Sequence, residues 1–203
     1  MSVSYFGNPF IDKYEFSDSY GEKVLLLPGS RRQEIVNVLP VMLELVKTEK
    51  DEKFILRLAD ESHLNYIPFD QADYPNMEIS FSKLEDIRKE LRMAVATSGT
   101  VTFEMALMGL PVIVGYKTSS LNVFIARNIL KIDYISLTNN GSGKEVLPEL
   151  IQNDFNIKNI KKKMNYIDNS KKAVIESLLE SRVLMGEKGV TDRISQFILE
   201  RAL

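Results

Sequence analysis

The sequence predicts an α/β fold: a Rossmann-like parallel sheet with helices on both faces, followed by further C-terminal helices. Three observations lead there. Short runs such as Val24-Leu25-Leu26-Leu27 are apolar at every position, as in strands buried on both faces. Longer amphipathic stretches alternate with them at the spacing of βαβ crossovers. Breaks such as Pro28-Gly29 and Gly109 separate the two kinds of segment.

The elements follow in order. Val24–Leu27 is the first strand. A helix from about Arg32 to Lys47 carries Ile35, Val38, Leu39, Met42, Leu43 and Val46, and Pro40 should kink it or mark its true start. Phe54–Leu58 is the second strand. Met77–Phe81 alternates with period two and reads as a third, edge strand. Leu84–Leu91 is a short helix and Met93–Thr97 the fourth strand. Ser98-Gly99-Thr100 opens a helix that Gly109 ends, and Pro111–Gly115 is the fifth strand. Helices are expected at about Leu121–Leu130, Ile157–Tyr166, Lys171–Met185 and Thr191–Arg201. The polar stretch Ser17–Lys23 reads as a linker or surface loop, which makes Met1–Phe16 an appended segment.

Composition narrows the function. The chain has 203 residues, 44% of them hydrophobic, enough for a real core. Its formal net charge of −2 argues against a general electrostatic grip on nucleic acid or an anionic bilayer. Disulfides are excluded because there is no cysteine, and a single histidine, His63, leaves little material for a zinc site. No apolar run reaches the roughly 18 residues of a membrane-spanning helix, and the N-terminus lacks the pattern of a signal peptide. A cytoplasmic setting is expected. His63 lies in a polar loop and reads as incidental. Lys158, Lys161, Lys162, Lys163, Lys171 and Lys172 read as solvated helix faces, and the methionines as core.

Three segments carry candidate chemistry. Leu27-Pro28-Gly29-Ser30-Arg31-Arg32-Gln33-Glu34 ends a buried strand, where α/β sheets bind ligands. There Gly29 allows close backbone approach, Ser30 can cap the helix, and Arg31 can clamp a phosphate. Taken alone, it is equally a tight turn with a surface arginine. Thr97-Ser98-Gly99-Thr100-Val101-Thr102-Phe103-Glu104 offers the N–H groups and positive dipole end of a helix to a diphosphate. Glu104, one turn after Thr100, could accept bonds from ribose hydroxyls; the plainer reading is a cap with a solvated glutamate. The third segment, Asn140-Gly141-Ser142-Gly143-Lys144, looks like a phosphate loop but fails the pattern. Thr138 stands where the first glycine belongs, and Glu145 where Ser or Thr should follow the lysine. A flexible polar loop fits better.

Taken together, these segments resemble lipid A disaccharide synthases, bacterial glycosyltransferases built from two Rossmann-like domains. The resemblance rests on Leu26-Leu27-Pro28-Gly29-Ser30-Arg31 with Glu34-Ile35, on Ser98-Gly99-Thr100 with Glu104 and Gly109-Leu110-Pro111, and on Val114-Gly115-Tyr116-Lys117. It continues through Tyr134-Ile135-Ser136-Leu137 with Asn139 and through Pro148-Glu149-Leu150-Ile151-Gln152. Order and spacing agree from about Val3 to Gln152; beyond that only helical character matches. The chain departs from the family pattern at Gly7-Asn8-Pro9 (usually Gly-His-Pro), at Leu137-Thr138-Asn139 (usually Leu-Pro-Asn) and in the polar Asn140-Gly141-Ser142.

The resemblance implies the donor-binding, C-terminal half of such an enzyme. The family moves a diacylated glucosamine from UDP to diacylglucosamine 1-phosphate with inversion, without a metal or other cofactor. It implies leaving-group stabilisation by Arg31. It implies donor contacts from Gly29, Ser30, Arg31, Ser98, Gly99, Thr100, Glu104, Tyr116, Asn139 and Gln152. The base and acceptor site would belong to an N-terminal domain ahead of this segment, so that this half alone transfers no sugar. Residues 1–16 would then be an interdomain crossover, 17–185 the nucleotide-sugar-binding domain, and 186–203 a helix that crosses to the other domain. That helix carries Val190, Ile194, Phe197 and Ile198 as one apolar stripe. Without its natural cover the stripe should fold back or pair with a second chain, and pairing as a homodimer is the favoured outcome. The whole enzyme would touch the inner face of the bacterial inner membrane peripherally. Rivals are another UDP-sugar glycosyltransferase, a UDP-sugar 2-epimerase, for which the one histidine is badly placed, and a non-catalytic nucleotide-sugar-binding module.

Overall fold

The computed structural model describes residues 3–117 and 133–202. The helix expected at Leu121–Leu130 lies outside them. Six parallel strands form one sheet in the order β3-β2-β1-β4-β5-β6. They are β1 (Lys23–Leu27), β2 (Phe54–Arg57), β3 (Met77–Ser80), β4 (Leu91–Thr97), β5 (Val112–Tyr116) and β6 (Glu149–Ile151). The strand order reverses beside β1, which pairs with β2 on one side and with β4 on the other. At that junction Leu27 stands opposite Ala96, so both strands end at one level.

Alternate strand residues feed two cores. Leu25, Leu27, Ala94, Ala96 and Val114 face one side, while Val24, Leu26, Met93, Val95 and Ile113 face the other. Burying each large side chain contributes about 1.5–3 kcal/mol, which is why these short runs hold the sheet so firmly. The helix α1 (Phe10–Lys13), α3 (Leu84–Ile87), α4 (Thr100–Leu107) and α7 (Lys171–Leu184) supply side chains to the first core. The second core takes side chains from α2 (Arg32–Thr48) and α6 (Ile157–Asn169). Two further helices are α5 (Leu137–Ser142) and α8 (Val190–Ala202).

Several expectations are corrected. Pro40 neither starts nor stops α2, which runs from Arg32 to Thr48 with Pro40 on its exposed side; there water can serve the carbonyl left without a donor. The helix expected to reach Leu91 ends early, as α3 followed by a 3₁₀ turn over Arg88–Glu90, because Leu91 is buried and opens β4. The polar stretch from Asn140 onward begins in helix rather than flexible loop. Ser136 Oγ caps α5 by accepting from Asn139 N–H at 3.2 Å, and Gly143 ends it at φ +64°. His63 is buried in a 3₁₀ turn, stacked on Tyr66 with ring centroids 5.3 Å apart. β6 is an additional strand that periodicity did not reveal.

The N-terminal segment is part of the packing. Ile11 and Tyr14 are buried in the first core. Asp12 receives the start of α8: its carboxylate accepts from the N–H groups of Gly189, Val190 and Thr191 and from the Thr191 hydroxyl. These bonds hold the Asp12 carboxyl down at about 2, the Thr191 backbone bond being the largest cause. Val190 is buried, and Phe197 meets Phe6 with centroids 4.8 Å apart. Much of the stripe on α8 therefore folds back on its own chain, while Ile198 and Leu199 stay 58% and 63% exposed.

Candidate functional site

The carboxyl ends of β1 and β4 open on a cleft of about 360 Å³. Two turns form its walls. After β1 the chain turns at Gly29, whose φ of +107° is reached at low cost only by glycine. A Cβ there would also stand 2.5 Å from Glu34 Oε2. After β4 it turns at Gly99 into α4. Gly99 is extended and nothing lies within 4 Å of where its Cβ would be, so its bareness leaves backbone open toward the cleft.

Gly29, Ser30, Arg31, Ser98, Gly99 and Thr100 all line this cleft, six candidates brought together from segments about 70 residues apart. Arg31, not Ser30, is the N-cap of α2, and Glu34 reaches back to the turn. Glu34 Oε2 accepts from the N–H groups of Ser30 and Arg31, at 3.2 and 3.3 Å, and Oε1 lies 3.2 Å from Arg31 Nη1. The Arg31 side chain is 84% exposed. It is free to swing toward an anion and is only lightly held. Ser98 Oγ donates to the Ile135 carbonyl at 3.3 Å, tying the second turn to the segment before α5.

The other four candidates do not line the cleft. Tyr116 and Gln152 lie at the same end of the sheet, at the close of β5 and just after β6. Gln152 has φ +56°, an unusual conformation for a non-glycine residue and a mark of local strain. Glu104 faces the Tyr14 phenol, whose pKa is pushed up mainly by burial. Asn139 is corrected from donor contact to support. It is fully buried, and its amide donates to the Leu147 carbonyl and to Glu149 while accepting from Val146 and Leu147 N–H, each at 2.8 Å. No bonding capacity is left for a ligand. Glu149 in turn accepts from Ile135 and Ser136 N–H, so the pair fixes the segment that meets Ser98.

Sequence reasoning did not single out Arg57 and Ala59, which also line the cleft. A charged residue closing the apolar run Phe54-Ile55-Leu56 was the available clue. Among the described residues no cluster of His, Asp or Glu could hold a metal ion, and no helix is long and apolar enough to cross a membrane.

Sheet order and the position of the cleft define a Rossmann-like α/β class. Solved structures with the same fold include the glycotransferase of kitacinnamycin, at TM-score 0.62 and 16% identity over 89% of this chain and 43% of that one. The UDP-GlcNAc 2-epimerase of Neisseria meningitidis, solved with UDP-GlcNAc, gives TM-score 0.57 and 17% identity over 88% and 45%. The sequence profile described as lipid-A-disaccharide synthetase matches residues 3–201, and the chain belongs to that family. A lipid-A-disaccharide synthase from Syntrophus aciditrophicus (strain SB) is 32% identical over 98% of this chain and 57% of its own length. One from Nitrosococcus oceani is 38% identical over 64% of this chain and 35% of its own. The chain thus spans about half the length of the curated relatives it matches.

Proposed function

We propose that this chain is the UDP-sugar donor-binding half of a lipid A disaccharide synthase. The observation that carries the reading is the convergence of Arg31 and two glycine-bearing helix-start turns on one cleft at the β1/β4 switch. The ligand's diphosphate lies between these turns. Backbone N–H groups, two helix dipoles and the Arg31 guanidinium face it before any reaction begins. The transferred unit is 2,3-diacylglucosamine, and the acceptor is 2,3-diacylglucosamine 1-phosphate. The acceptor hydroxyl oxygen attacks the anomeric carbon from the face opposite UDP, the carbon–oxygen bond to the diphosphate breaks, and the configuration inverts. Negative charge then grows on the diphosphate, where Arg31, released from Glu34 on ligand binding, and the amides at the start of α4 receive it. A base on an N-terminal acceptor domain takes the hydroxyl proton. Glu104, by leaving Tyr14, serves the ribose, while Tyr116 and Gln152 flank the donor at the β5–β6 end.

The reaction takes place at the inner face of the bacterial inner membrane, and the exposed Ile198 and Leu199 on α8 serve homodimer contact. Light scattering over a range of concentrations reads the second point. Calorimetric titration with UDP, CDP and inorganic phosphate tests the nucleotide reading. UDP should bind most tightly, and Arg31→Ala should cost about 1.5–3 kcal/mol, the scale of a hydrogen bond to a charged group. Equal or absent binding of all three ligands by folded protein would overturn it.

A further inference from the structure

The cleft holds a second guanidinium, on the β2 side. Arg57 is the last residue of β2, directly after the buried Phe54, Ile55 and Leu56. Its Nε donates to the Ser82 carbonyl at 2.6 Å, which anchors the group by one nitrogen. Among the described residues Nη1 and Nη2 have no hydrogen-bond partner, and no carboxylate forms an ion pair with Arg57. The other part-buried arginines among the described residues have partners at their guanidinium ends: Arg92 pairs with Glu52 and Asp168, and Arg88, Arg182 and Arg193 donate to carbonyls. Arg31 shares the cleft but already has Glu34. Arg57 is therefore a cation in the cleft wall with no counter-ion among the described residues. A guanidinium anchored through Nε keeps its paired Nη donors for the two oxygens of an oxyanion.

We propose that Arg57 is a second oxyanion-binding residue of this cleft, gripping the ligand's diphosphate from the β2 side while Arg31 grips it from the α2 side. This rests on the nucleoside-diphosphate reading above. It assigns to the donor site a contact from β2, a strand that the Gly29 and Gly99 turns do not include. Two guanidiniums in one cleft bring two positive charges to the ligand, which favours the more highly charged diphosphate over a single phosphate.

The test is calorimetric titration of the whole chain with UDP, pyrophosphate and uridine, for wild type, Arg57→Gln and Arg57→Lys. Glutamine keeps a donor for the Ser82 carbonyl but removes the charge; lysine keeps the charge but not the fork. Arg57→Gln should lose on the order of tenfold for UDP and for pyrophosphate, with uridine unchanged, and Arg57→Lys should recover part of the loss. Thermal melting confirms folding, and Arg57→Leu replaces the glutamine variant if that one does not fold. Wild-type binding of UDP with no loss in Arg57→Gln overturns the role of Arg57 and leaves the nucleotide reading standing. An equal loss for uridine also overturns it, since the residue would then shape the cleft rather than hold charge. Wild-type protein that binds neither UDP nor pyrophosphate overturns both.

Discussion

Glu34 holds Arg31 by both ends: one carboxylate oxygen accepts from the Arg31 backbone N–H at 3.3 Å, and the other lies 3.2 Å from its Nη1. These are the donors a ligand phosphate would need, and the protein's own carboxylate occupies them. Arg31 is largely exposed, and an exposed ion pair contributes only about 0.5–1 kcal/mol. Glu34→Gln keeps an acceptor for the turn and removes the competing charge. It should therefore raise UDP affinity by about twofold to fivefold. Isothermal titration at constant ionic strength reads this directly. Weaker binding would mean that Glu34 positions Arg31 instead of competing for it.

Asp12 ties the start of α8 to the N-terminal segment, and this tie should be acid-sensitive. Its pKa falls from 3.8 to about 2 on folding, chiefly through the Thr191 backbone bond. A depressed carboxyl contributes stability that is complete above the unfolded value and fades as pH drops through the folded one. Wild type should therefore melt higher than Asp12→Asn at pH 6, with the difference shrinking between pH 4 and pH 2. Circular-dichroism melts across that range check it; a gap that persists undiminished at pH 2 would contradict it.

Arg88 is a buried cation whose hydrogen-bond partners are all carbonyls: Met108 and Gly109 at the end of α4, and Ser17 and Ser19 before β1. It offsets the negative end of the helix whose positive end faces the cleft. Arg88→Met should destabilise the chain by about 3–5 kcal/mol, since four carbonyls lose their donors together. Arg88→Lys should recover only part, lacking the planar fork. Urea denaturation measures both, and a loss below about 1 kcal/mol would show that water replaces the guanidinium without penalty.

The two cleft turns were legible in the sequence because both follow runs apolar at every position, and because glycine beside Ser30 or Thr100 marks a helix start. Asn139 was misread for a physical reason: a polar residue among polar neighbours looks solvated, yet its amide is satisfied by Val146, Leu147 and Glu149, which only the fold brings to it. β6 escaped because three residues beginning with Glu149 show no periodicity, and its pairing with β5 exists only in three dimensions. The stripe on α8 was legible, but its cover was not, since Phe6 meets Phe197 from the far end of the chain. Arg57 was hidden similarly. The one clue beside it is a charge closing the apolar run Phe54-Ile55-Leu56, and that the end of β2 shares a cleft with the end of β4 is set by the fold.

Two-dimensional NMR of isotopically labelled protein follows each backbone amide while UDP is added. The largest chemical-shift changes should fall on Ser30, Arg31, Gly99 and Thr100, with small changes at the opposite end of the sheet around Val112 and Ala173. Shifts concentrated at that opposite end, or a spectrum of folded protein unmoved by saturating UDP, would contradict it.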